Sequence, residues 1–138
     1  MQNATKATFK FEGFKILKSH FEMLGSGDYK TFTIKIEPKG TIYENSSSYE
    51  LELKVFIEEK NTNFKIEVLA VGYFTFEIGS SPEVQHNFLY ANAPAILFPY
   101  LRAYISSLTT LSGQKSINLP TLNLTNLRPE LEKNTITK

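Results

Sequence analysis

The sequence predicts an α+β fold, four antiparallel strands followed by one main helix, in a single domain over residues 1–138. Three observations predict it. Apolar and polar residues alternate through the first three fifths of the chain, the pattern of half-buried strands. Between Val84 and Gln114 the only formal charge is Arg102, and apolar residues there recur at helical spacing. Aromatic residues make up 13%, as eleven Phe and seven Tyr without Trp, and flat rings pack well on pleated surfaces.

The first strand is expected over Ala7 to Leu24. Phe9 and Phe11 share one face there, Phe14 and Ile16 the other, and the change of phase at Gly13 predicts a bulge. Gly25 to Asp28 has turn chemistry. Thr31 to Glu37 alternates well, and Pro38 and Gly40 are expected to stop it, with a polar loop at Asn45 to Ser48. Tyr49 to Glu58 is the cleanest strand. Tyr49, Leu51, Leu53, Val55 and Ile57 face one way; Glu50, Glu52, Lys54 and Glu58 face the other. Asn61 to Asn63 turns the chain back into a long strand over Phe64 to Ile78. Its second half is apolar on both faces, at Leu69, Val71, Tyr73 and Phe74, so burial on both sides or a further partner is expected.

The main helix is expected over about 94–112, with Leu97, Leu101, Tyr104, Ile105, Leu108 and Leu111 in phase. Pro99 fits if the regular helix begins near Phe98; otherwise it predicts a kink. Gly113 is a natural terminator. Ile117 to Leu124 reads as an irregular connector broken by Pro120, and Pro129 to Lys133 as one or two helical turns.

Composition removes several functions. Fifteen Lys and Arg against fourteen Asp and Glu leave a net charge of +1, too little field to hold nucleic acid or an anionic membrane. Lys6, Lys10, Lys15 and Lys18 interleave with Phe9, Phe11 and Phe14 in a pattern that suits single-stranded nucleic acid, but acidic residues on the neighbouring strands offset it. No apolar run approaches the roughly eighteen residues of a membrane helix, and the first residues lack a secretory core, so a cytoplasmic location is expected. Cysteine is absent, which excludes disulfides and thiol chemistry. Neither His20 nor His86 sits in a metal motif; His20 and Glu22 share a strand face as a weak metal pair or, more simply, as solvated surface. No phosphate loop or nucleophile motif occurs. No catalytic residue, metal or cofactor is expected. What remains is apolar surface: one helix of about five turns covers only part of a four-stranded sheet. Either subunits associate or the surface binds apolar partners.

The segment Tyr90-Ala-Asn-Ala-Pro-Ala-Ile-Leu-Phe-Pro-Tyr-Leu-Arg102, then Ile105-Ser-Ser-Leu108 and Leu119-Pro-Thr-Leu-Asn-Leu124, resembles the protein-export chaperone SecB and its relatives. Phe64 to Val68 and Gly72 to Phe74 look like that family's fourth strand. The resemblance implies a four-stranded antiparallel Greek-key sheet packed by one long C-terminal helix. It also implies a homotetramer built as a dimer of dimers, and an ATP-independent holdase for unfolded preproteins. Ile66, Val68 and Ala70 resemble family positions at the subunit interface. Tyr43, Tyr73, Phe74, Leu101, Tyr104 and Leu108 are the candidate client-binding residues. Glu22 and Glu67 match the acidic surface that docks SecA, but Lys18 and Lys65 lie on or beside it. The Cys- and His-rich zinc tail of many export relatives has no counterpart here, so weak SecA binding is expected. The alternatives are a dedicated chaperone of an antitoxin or other single partner, and a carrier of a small apolar ligand.

Overall fold

Alternation in the fourth decade onward becomes a twisted sheet in the computed structural model, which describes residues 9–23, 32–59, 64–77, 79 and 81–138. The four long strands are β1 (Phe9–Met23), β2 (Thr33–Tyr43), β3 (Ser48–Glu59) and β4 (Phe64–Phe76). All pair antiparallel in the order β1-β4-β3-β2, so β1 lies beside the last strand rather than the next one. The turns expected at Gly25 to Asp28 and Asn61 to Asn63 lie outside the described residues. Tyr49, Leu51, Leu53, Val55 and Ile57 of β3 are fully buried, and the register sets Leu53, Val55 and Ile57 opposite Ala70, Val68 and Ile66 of β4.

Two strands depart from expectation. In β1 the register shifts between Phe11 and Gly13, whose φ of 121° is open to glycine alone. The extra residue does not send Phe14 and Ile16 to the far face; it brings them back to the face of Phe9 and Phe11. Phe11 and Phe14 accordingly pack on the same ring, Tyr100, at 5.4 and 4.8 Å. In β2, Pro38 and Gly40 do not stop the strand. Both lie where the backbone points away from β3, so the proline removes no bond of that ladder.

The helix also begins earlier than its apolar spacing suggests. Ser81 caps α1 (Pro82–Asn87) by accepting from the Val84 amide at 3.2 Å, with proline in the first turn. A π-helical turn at Phe88–Asn92 then joins α1 to α2 (Ala93–Leu111), and the residues at both joins are right-handed helical. One unbroken helical run therefore covers 82–111. Pro99 sits inside α2, and Ala95, whose carbonyl its missing amide would bond, is exposed like Pro99 itself. Leu97, Phe98, Leu101 and Ile105 press onto the sheet. A Cβ on Gly72 would stand 3.2 Å from the Leu97 methyls, so the leucine side chain packs directly onto the β4 backbone there. Gly113, at φ 84°, ends the run as expected.

After a connector and a 3₁₀ turn at Leu124–Leu127 come α3 (Arg128–Lys133) and β5 (Thr135–Thr137). β5 pairs parallel to β2 opposite Gly40 to Ile42. The sheet is thus mixed and five-stranded, not four-stranded and antiparallel, and the long helix is not C-terminal. Gly40 makes this possible: a Cβ there would stand 2.7 Å from both Thr135 Oγ1 and the Tyr49 hydroxyl. Leu131, fully buried, anchors α3 above it.

Candidate functional site

Beyond Gly113 the chain doubles back along α2, held by hydroxyl groups. Thr109 is buried; its Oγ1 donates to the Ile105 carbonyl at 3.0 Å and accepts the Ile117 amide at 2.9 Å. Ser106 Oγ reaches Asn118 Oδ1 at 3.0 Å. Arg102 lies over the Phe98 ring at 5.4 Å and donates through Nη2 to the Pro120 carbonyl at 3.3 Å. Its Nε is buried with no partner among the described residues. Ile117 and Leu119 drop into the core, while Leu122 and Leu124 stay half-buried.

Leu122, Asn123 and Leu124 form a ridge with a hollow on each side. One, about 250 Å³, is walled by α2 through Ala95, Phe98, Pro99 and Arg102. The other, about 270 Å³, opens toward β2 through Ile34 and Ile36 and is closed by Leu127. Among the described residues, Arg102 is the only charged one lining either. On the far side of the sheet a larger depression of about 720 Å³ holds Glu37, Lys39, Glu52, Lys54, Glu130 and Lys133. Size does not favour it: seating an apolar segment there would desolvate six charges without replacing their partners.

The residues expected from the sequence fall elsewhere. Phe74 and Leu101 are core. Tyr43 ends β2 half-buried, its hydroxyl 3.4 Å from Glu50 Oε2, and desolvation followed by the Glu50 charge raises its phenol above the ordinary value. Tyr73 is on the outer face of the sheet beneath Lys15, and Tyr104 and Leu108 flank α2, half-buried. None of the six lines either hollow. Ile66, Val68 and Ala70 face α2 at 0% exposure within this single chain, so they have no area left to give a partner and belong to the core rather than to a subunit contact. Glu22 and Glu67 do lie on the outer side. Glu67 is gripped by Lys18 at 3.3 Å and Lys54 at 3.6 Å, and the Lys18 hydrogen bond holds its carboxyl below the usual range. Glu22 is 3.2 Å from His20 Nε2. No group of three or more metal-type ligands occurs among the described residues.

Ile34, Ile36, Leu122 and Leu124 escaped the sequence reading. One signal for them was available: Ser116 to Leu127 contains no charged residue, which is unusual for a connector on a protein surface.

A sheet sealed on one side by a single helical run, with a groove along its margin lined by few charges, defines the class as an α+β domain. Its family is SecB: the family profile described as Preprotein translocase subunit SecB matches residues 29–133, most of the chain, and the chain belongs to that family of chaperones. No curated protein matches it in sequence. Among solved structures, the Mycobacterium tuberculosis Rv1957 SecB-like chaperone in complex with a ChAD peptide from the Rv1956 HigA1 antitoxin is similar. The TM-score is 0.70 at 13% identity, covering 84% of this chain and 88% of that one. A protein of unknown function from Streptococcus agalactiae gives a TM-score of 0.48 at 11% identity, covering 82% and 97% respectively.

Proposed function

We propose that this SecB-family chain is an ATP-independent holdase that keeps aggregation-prone polypeptides from associating by seating their apolar side chains in the hollows beside Leu122 and Leu124. The observation that carries this is the groove itself: two hollows flanking one ridge, with one charge, Arg102, among the described residues of their lining. Each leucine-sized side chain seated there is worth about 1.5–3 kcal/mol before ordering costs. Several weak, non-directional contacts of that kind hold a client without selecting its sequence.

A dedicated client, such as an antitoxin, is the second reading, favoured by the likeness to a SecB-like chaperone solved with an antitoxin peptide. A carrier of a small apolar ligand is less well supported, because both hollows are open and shallow beside the connector. Subunit association draws support from the outward side of α2, where Tyr100 is 43% and Leu111 87% exposed and the intervening Ala103 and Ser107 carry no charge. A dimer of dimers in the cytoplasm, assembled through that strip, fits this reading. Docking to SecA is weak in this reading, since Lys18 and Lys54 neutralise Glu67.

The test is suppression of aggregation of chemically unfolded proteins. Leu122→Ser with Leu124→Ser should lower protection several-fold with the circular dichroism unchanged. Full protection by that folded variant would remove the groove from the function. Protection of one partner only, and of no unrelated protein, would select the dedicated reading.

A further inference from the structure

His86, in the last turn of α1, is held from both other elements around it. Arg128 Nη2 of α3 lies 2.8 Å from its Nδ1, and Glu132 Oε1 of α3 lies 3.4 Å from its Nε2. The Tyr90 ring of the π turn crosses it nearly edge-on, centroids 4.7 Å apart. On α1 itself Glu83 sits three residues earlier, on the same side of the helix. Arg128 also donates through Nη1 to Asn87 Oδ1 at 3.2 Å and through Nε to Glu132 Oε1 at 3.1 Å. A guanidinium has N–H donors and no acceptor. The 2.8 Å contact therefore exists only while Nδ1 keeps its lone pair, which places the ring proton on Nε2, facing Glu132. A second proton would turn Nδ1 into a donor aimed at a donor, with two cations in contact. Glu132 and Glu83 would attract the charged ring, but neither replaces the bond lost at Nδ1.

What these contacts hold is otherwise lightly held. α3 has six residues and buries only Leu131, and β5 has three residues, paired opposite Gly40 to Ile42. Short elements with few buried contacts are the first to open on their own. Imidazole is the side chain that ordinarily changes charge between pH 5 and 8, a window in which ordinary carboxylates stay ionised. We infer that His86 is a proton-operated latch. Neutral, it pins α3 and β5 to the start of the helical run. Protonated, it releases Arg128, and the α3–β5 unit opens more often while the four long strands and α2 stay folded. The latch acts on the fold and does not depend on what the hollows hold. Its three side chains are partly exposed, so water screens them and the response is several-fold rather than all-or-none.

The experiment is hydrogen exchange of the full chain, read by NMR as protection factors at about pH 7.5 and about pH 5.5. The reporters are the amides of Gly40, Glu44 and Lys138, each bonded across the contact between β2 and the last residues. Acid should lower their protection by ~3-fold or more, with the amides of β3 and β4 unchanged. His86→Asn keeps an acceptor near the place of Nδ1 and takes up no proton, so its reporters should be protected equally at both values. That variant retains His20, which removes the other histidine as the cause. Arg128→Met should show the low protection at both. In the native chain at the higher pH, the imidazole ¹⁵N shifts should place the ring proton on Nε2. A proton on Nδ1 there would overturn the latch. So would reporters that ignore pH in the native chain, or that respond equally in the native chain and His86→Asn.

Discussion

Ile66 and Glu67 are adjacent on β4 and live in opposite surroundings. Ile66 looks toward α2 from a face that includes Val68, Ala70 and Phe74, all closed to water by this one chain. Glu67 looks outward from a face built of charge pairs: Lys18 and Lys54 on its own carboxylate, Lys35 with Glu37, Lys39 with Glu52. Even the apolar Val71 on that side is only 3% exposed, lying in register between Lys15 and Glu52. One face is finished by packing, the other by mutual neutralisation. Open apolar surface is thereby left to the margin, where connector, helix and sheet edge meet and neither solution is complete.

Ile66→Asp breaks the contrast most severely. A carboxylate placed opposite α2 has no partner there, and the cost of several kcal/mol falls on the fold itself. The chain should lose its urea-unfolding transition rather than fall apart into folded subunits, while Glu67→Ala moves the transition only slightly. A folded, monomeric Ile66→Asp protein would return this residue to a subunit contact.

Thr109→Val tests the margin. Valine keeps the shape but leaves the buried Ile117 amide without its acceptor, which should cost about 1–3 kcal/mol in denaturant unfolding. Aggregation suppression should fall as well, because the connector carrying Leu122 is released. Unchanged stability would mean that the hydroxyl does not hold the connector.

The smallest effect belongs to the outer face. Glu67 titrates below the ordinary carboxylate range because Lys18 hydrogen-bonds its ionised form. Its contribution to stability is therefore present above the ordinary glutamate range and fades as acid carries the pH down through the lowered value. In Lys18→Met, NMR titration should find that carboxyl moved back up toward the ordinary range, and the acid limb of the stability curve slightly shallower. An unmoved titration would assign the depression to Lys54 instead.

Legibility differed along the same lines. The two faces of β3 and β4 could be read directly, since period-two burial survives any tertiary detail: Tyr49 to Ile57 were placed residue by residue. The bulge at Gly13 was readable in position but not in sense, because whether a bulge separates or reunites Phe11 and Phe14 depends on where Tyr100 stands. Ser81-Pro82-Glu83 is a good helix start that apolar spacing alone passes over, as α1 buries nothing. β5 is three β-branched residues, Thr135-Ile136-Thr137, too short to be read as a strand by alternation; pairing beside β2 makes it one. The groove was least legible. A half-buried leucine beside a groove has the same sequence signature as one that completes a core, so Leu122 and Leu124 cannot be told from Leu101 and Phe74 without their neighbours.

The π turn at Phe88–Asn92 works as a gear between two lengths of the same shaft. Each residue of a regular helix turns the chain by about 100°, and a π turn absorbs one residue more than an α turn would. Deleting one residue there would keep α1 and α2 in phase, whereas winding the same residues as ordinary α-helix, with none removed, would leave α2 undisturbed but swing α1 by about 100° around the common axis. His86 would leave Arg128 Nη2, now 2.8 Å from its Nδ1, and Glu132 Oε1, 3.4 Å from its Nε2. Those contacts tie the start of the helical run to α3, directly before β5. The wider winding of this one turn, rather than any side chain within it, sets whether the two ends of the C-terminal half meet.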